Sequence, residues 1–173
     1  MVSDLFGFEP VVAVIGGRAF ALRFDMRAVF ALERRFGSMG DGLTALFDPD
    51  GFRDAVAVFV LAAAGAAGDG VDSSAEDAAV LLDAGDWDAG LLRERVLEAL
   101  GRCFAEPDEF AVPGDGCGTD WDEVYYIGRY RLLMSDDEFW GSTPRRFDKL
   151  HRLWLTERGL LRESRVYMGD FGF

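Results

Sequence analysis

Histidine and lysine each occur once in the 173 residues, as His151 and Lys149, and cysteine occurs twice. Cys103 and Cys117 form no C-x-x-C pair, so neither a zinc site nor a disulfide framework is expected, and both read as reduced bystanders. A nucleophile-base-orienter triad needs a base beside its nucleophile; His151 stands mid-helix next to Arg152, with no G-x-S-x-G elbow in the chain. No EF-hand loop and no H-E-x-x-H appears, and Gly16-Gly17-Arg18 lacks the Lys-Ser/Thr of a phosphate loop. The residues therefore point to no catalytic site, no metal and no cofactor, and the chain reads as a non-enzyme. Long apolar runs are missing too. The longest, Ala55 to Ala67, is too short to span a bilayer. The opening MVSDLFGFEPVVAVI has no basic stretch ahead of an apolar one, so a secretory signal is not expected and the cytoplasm is the expected compartment.

What is present is a well-stocked apolar chain. Half the residues are hydrophobic and 13% are aromatic, enough for one core or two small ones without staples. Asp and Glu number 31 against 18 Lys and Arg, for a formal charge of −13. Such a surface repels phosphate backbones, so nucleic acid is not an expected partner, and with no spanning run neither is a membrane.

The expected fold is mainly α, with a short N-terminal β-hairpin, a helical domain after it and a small helical C-terminal domain. Two β-rich runs around Gly16-Gly17 predict the hairpin, because a tight primed turn needs positive φ at both central residues. Asp25 is placed to cap a helix carrying Val29, Phe30, Leu32 and Phe36 and stopping at Gly37. A short helix, Leu43 to Phe47, follows a cap at Asp41; Phe52 to Ala64 forms a buried Ala/Val helix. Ser73 to Glu76 reads as a capping box opening a helix to Ala84. Trp87 to Phe104 follows, with Leu91, Leu92, Val96, Leu97 and Leu100 on one face. Phe30, Phe36, Phe47 and Phe59 are expected in the core first and in a binding groove second.

Residues 106–118, EPDEFAVPGDGCG, carry two prolines and no helical or strand period, which marks a linker between a domain at 1–105 and another at 119–173. Beyond it Thr119 or Asp120 caps Trp121 to Met134. Ser135 and Glu138 form a second capping box, and Thr143-Pro144 opens a helix that ends at Gly159. The final residues 160–173 fit a strand or a loop. Acidic clusters at 120–123 and 136–138 sit at helix starts, where unpaired N–H groups stabilise carboxylates without any metal. Charge is uneven: residues 1–105 and 106–138 each carry a net −8, whereas 139–173 carries +3. That last segment reads as a solvated face or as a dock for an acidic partner.

Aromatic side chains crowd this C-terminal part. Trp121, Tyr125, Gly128 and Leu132 fall on one helical stripe, and Phe147, Leu150 and Trp154 on another. So small a domain cannot hide all its rings, and Trp, Tyr and Arg dominate binding hot spots. The candidate partner-binding residues are Trp121, Tyr125, Phe139, Trp140, Thr143, Pro144, Arg145 and Arg146, the last six because they lie on the motif whose family resemblance follows.

The run Ser135-Asp136-Asp137-Glu138-Phe139-Trp140-Gly141-Ser142-Thr143-Pro144-Arg145-Arg146-Phe147, following Trp121, resembles the C-terminal segment of phage tail assembly chaperones. The hairpin, Ala31-Leu32-Glu33 and Phe36-Gly37 are similar to the N-terminal region of that family and of gene-transfer-agent tail proteins. Seventeen arginines to one lysine, with abundant Ala, Gly and Asp, suit a GC-rich bacterial or phage genome. The resemblance implies a chaperone of the host-cell cytoplasm that binds the tape measure protein and recruits tail tube protein. It further implies the long, frameshifted form, with the junction in the linker. Read from the residues alone, Phe139-Trp140 also serves as a plain structural plug between two helices. An acidic adaptor, antitoxin or immunity-type binding protein fits the same composition.

Overall fold

The computed structural model describes residues 11–66, 75–104 and 118–160. Strands β1 (Val11–Ile15) and β2 (Arg18–Leu22) pair antiparallel, Val11 opposite Leu22 and Ile15 opposite Arg18. Gly16 and Gly17 both hold positive φ, 56° and 80°, as the tight turn requires. Alternation does the rest: Val11, Ala13 and Ile15 point into the core while Val12 and Val14 face out.

Helix α1 (Met26–Phe36) starts where the Asp25 carboxylate accepts the Ala28 N–H at 2.9 Å and stops at Gly37, φ 93°. Helices α3 (Phe52–Ala66), α4 (Ala75–Asp83) and α5 (Ala89–Cys103) complete the first core with the hairpin. At its centre Phe20, Phe24, Phe59, Val56 and Val96 are fully buried. The Ala/Val composition of α3 lets α1, α4, α5 and β2 all approach it closely.

Several boundaries depart from the sequence reading. Helix α2 is Met39–Ala45, not Leu43 to Phe47, and its cap is Ser38 rather than Asp41. Ser38 Oγ accepts the Asp41 N–H at 3.0 Å and donates to the Asp41 carboxylate at 2.8 Å, which draws Asp41 into the first turn. Two glycines do not break this helix because tertiary packing supports it. Gly42 lies so close to Phe36 and Phe59 that a Cβ would sit 3.1 and 3.2 Å from their rings. Phe47, expected in the core, is exposed beyond the end of α2, with the Arg93 guanidinium 5.7 Å from its ring centre. α3 runs two residues past Ala64. α5 opens at the Asp88 cap, leaving Trp87 in the preceding turn, where its indole N–H donates to the Leu82 carbonyl. Leu91, assigned to the inner face of α5, is half exposed.

The C-terminal part begins with α6 (Trp121–Tyr126), capped by Asp120. It continues as a π-helical turn over Ile127–Arg131, in place of the straight α-helix expected to Met134. The widened turn is closed by Leu132 N–H to Ile127 O and Met134 N–H to Gly128 O, both at 3.0 Å. Leu133 follows with φ 55°, the one non-glycine positive φ among the described residues. α7 (Asp136–Trp140) opens with the Ser135/Glu138 capping box, and α8 (Pro144–Glu157) with Thr143 as cap and proline first. Ser73 and Ser74, residues 106–117 of the linker with Cys117, and residues 161–173 lie outside the described residues. Among the described residues, no helix is long and apolar enough to cross a membrane.

Candidate partner-binding site

A second hydrophobic cluster holds the C-terminal helices together, and it borrows Met26 from α1. The seam is built from backbone and side chains alike. Met26 N–H donates to the Ser142 carbonyl at 2.8 Å, and the Arg23 guanidinium donates to the Gly141 carbonyl at 2.8 Å. Two turns further along α1 the Glu33 carboxylate accepts the Trp121 indole N–H and the Thr119 hydroxyl, each at 2.7 Å. Phe30 of α1 meets Trp121 edge-on at 5.2 Å and Trp140 at 5.6 Å.

Four of the eight sequence-derived site residues come together here. Trp121 and Trp140 lie nearly parallel at 6.1 Å, and Tyr125 lies on Trp140 at 6.2 Å and edge-on to Phe139 at 5.2 Å. Trp121, Tyr125 and Trp140 are half-buried. Phe139 is fully buried and presents nothing to solvent. Its ring packs on Gly128, where a Cβ would come within 2.5 Å of it, and on Phe147 at 5.9 Å. Thr143 is likewise buried, its hydroxyl accepting the Arg146 N–H as the α8 cap, and Pro144 fills the first helical position. Phe139, Thr143 and Pro144 thus shape the surface from behind or beside it. Arg145 is exposed; Arg146 is half-buried with its Nε lacking a hydrogen-bond partner.

The electrostatics are those of anchoring. The Tyr125 hydroxyl donates to Asp136 at 2.6 Å, and this bond foremost raises its pKa. Asp136 also pairs with Arg129, which in turn donates to the Met134 carbonyl, so the end of the π-turn is tied to the start of α7. The Ser135 N–H on Glu138 lowers that carboxyl's pKa. Burial raises the Cys103 thiol, which accepts the Phe24 N–H at 3.3 Å and stays protonated and unreactive near neutrality. His151 stacks on Trp154 and meets Phe147 at a tilt, and desolvation, then Arg131, pulls its pKa down. Among the described residues, no group of three or more His, Cys, Asp or Glu side chains is arranged to hold a metal ion.

The sequence reading did not single out Glu33 as the acceptor for Trp121, since 88 positions separate them. It also passed over the outer side of α6. Tyr126 and Tyr130 stack at 5.1 Å on the face away from the core, and their i, i+4 spacing off the Trp121-Tyr125 stripe is visible in the sequence. Comparison of the chain with protein-family models, curated protein sequences and solved structures returned no match.

Proposed function

We propose that this chain is a non-enzymatic assembly chaperone of the phage tail type, binding the tape measure protein and recruiting tail tube subunits in the cytoplasm of the host cell. The observation that carries the reading is the half-buried aromatic cluster of Trp121, Tyr125 and Trp140, with Arg145 exposed in the first turn of α8. Trp, Tyr and Arg held rigidly at a surface are the side chains that dominate protein interfaces, because they bury large area for little lost freedom. The motif that resembles the family, Phe139-Trp140 through Thr143-Pro144, forms the elbow that sets Trp140 against Trp121 and Tyr125 of α6.

The first part supports a holding role. Exposed Phe47, Val80 and Leu91 leave apolar surface on a helical scaffold, the kind of surface on which an amphipathic helix of a tape measure protein lays its apolar face. The net −13 keeps such a complex soluble by like-charge repulsion. Co-expression of the full chain with the tape measure protein encoded beside its gene tests the reading. The tape measure protein is expected to move from the insoluble to the soluble fraction. Unchanged insolubility, with a neighbouring toxin protein bound instead, would favour the acidic antitoxin or immunity-type adaptor.

A further inference from the structure

Among the described residues, the outer edge of β1 is free. Ile15 and Arg18 flank the two-residue turn, and the antiparallel register runs without a bulge from there to Val11 opposite Leu22. Hydrogen-bonded pairs alternate along such a ladder, so Ile15, Ala13 and Val11 exchange bonds with β2. The N–H and C=O groups of Val12 and Val14 therefore point away from β2, and neither residue finds a backbone partner among the described residues. Val12 and Val14 are 51% and 59% exposed. The strand reads Val-Val-Ala-Val-Ile, without the charge, proline or bulge by which edge strands ordinarily refuse a neighbour.

The helical floor under this sheet is wider than the sheet. Val11, Ala13 and Ile15 point down into the first core, where α5 packs chiefly against β1, α3 chiefly against β2, and the two helices against each other. Adjacent strands lie about 4.8 Å apart, whereas packed helices lie about 8–10 Å apart. Two helices under two strands therefore reach past them, and α5 extends beyond β1 by roughly the width of one more strand. α4 meets the hairpin at its turn, where Leu81 lies against Gly16 and Asp77 pairs with Arg18.

We propose that this edge takes one extended, uncharged segment of another protein as a third strand, with β-branched residues at alternate positions. The segment's N–H and C=O groups pair with those of Val12 and Val14. One row of its side chains lies on the overhang of α5, and the other stands beside the two exposed valines. The overhang selects this occupant. It seats a single strand, whereas a second copy of the chain brings helices beneath its own hairpin, and these meet α5 before the edges can pair. The charge of −13 turns away an acidic segment. The inference concerns the hairpin alone and stands apart from the elbow and from any role in tail assembly.

The test uses the full chain and a synthetic peptide, Ser-Thr-Val-Thr-Val-Thr-Val-Thr-Ser, with a control carrying Pro-Pro in place of the central Val-Thr. Amide exchange followed by NMR is expected to show Val12 and Val14 unprotected in the free protein. The valine peptide should slow both saturably, the control should not, and Ala13 should be protected throughout by its bond to Phe20. Val14→Pro and Val12→Pro each remove an outward N–H without touching the hairpin's own ladder. Each should lose about tenfold in affinity with unchanged circular dichroism. Failure of the peptide to bind, equal binding of the control, or unchanged affinity in both folded variants would overturn the proposal. So would protection of Val12 and Val14 without peptide, whether constant or rising with protein concentration, because the chain itself or a second copy would then hold the edge.

Discussion

Glu33 and Trp121, 88 positions apart, share a 2.7 Å hydrogen bond that fastens the C-terminal helices to α1. The same carboxylate also takes the Thr119 hydroxyl, so one acidic side chain fixes both the cap region and the first residue of α6. Glu33→Ala is expected to cost roughly 2 kcal/mol, the range for a hydrogen bond to a charged acceptor whose partner is left half-buried. Urea unfolding followed by tryptophan fluorescence measures it. A change within error would mean that Phe30 and Met26 hold the seam without Glu33.

Gly128 and Gly101 make a matched pair, both helical and opposite in surroundings. A Cβ at Gly128 meets the fully buried Phe139 ring at 2.5 Å, whereas at Gly101 it meets nothing within 4 Å. Gly128→Ala is expected to destabilise the protein by about 1–3 kcal/mol through overpacking. Gly101→Ala should stabilise it by about 0.5–1 kcal/mol, because alanine is the better helix former. Thermal melts by circular dichroism should shift in opposite directions.

Asp25 links the stability of the fold to pH in the direction opposite to most carboxylates. Burial raises its pKa above the ordinary 3.8, against the pull of the Ala28 N–H and of Arg27 and Arg23. A carboxyl with a raised folded value holds its proton more tightly when folded. Its contribution is therefore complete below 3.8 and is lost as pH rises through the raised value. The wild type should accordingly gain on Asp25→Asn as pH falls from neutrality toward 3.8. Asparagine keeps the cap, so the slope of the difference, rather than its offset, isolates the ionisation. Urea midpoints across pH give that slope; a flat one would show that burial and the hydrogen bond cancel, and a reversed one that the hydrogen bond dominates.

Leu133→Gly tests the strain in the turn that closes the π-helix. Glycine relieves the positive φ but gains freedom in the unfolded chain, so a net stabilisation of about 0.5–1 kcal/mol is expected. Urea unfolding measures it, and a variant less stable than the wild type would show that the leucine side chain contributes more than its backbone costs.

The elements that were legible in the sequence are those set by local rules. Gly16-Gly17 announced the hairpin, Asp25 and Gly37 bounded α1, Ser135 with Glu138 bounded α7, and Thr143-Pro144 opened α8, because capping and turn chemistry act within a few residues. The departures arise where packing between distant segments decides. α2 survives two glycines because Gly42 lies under Phe36 and Phe59, and the π-turn after Tyr126 coincides with the Phe139 ring against Gly128. For the candidate site, the stripe of Trp121, Tyr125 and Gly128 was readable from period alone. That Phe139 would be buried while Tyr130 stayed exposed depended on how α7 docks on the π-turn, which no spacing reveals.

We propose that the chain binds tail-assembly partners through the surface around Trp140. Affinity co-purification of the full chain with the tape measure and tube proteins encoded beside its gene tests this most directly. Both proteins should be retained by the wild type, and a Trp140→Ala, Arg145→Ala variant that keeps its circular dichroism should retain the tape measure protein but lose the tube protein. Retention of neither partner by the wild type, or of both by the folded variant, would overturn this function.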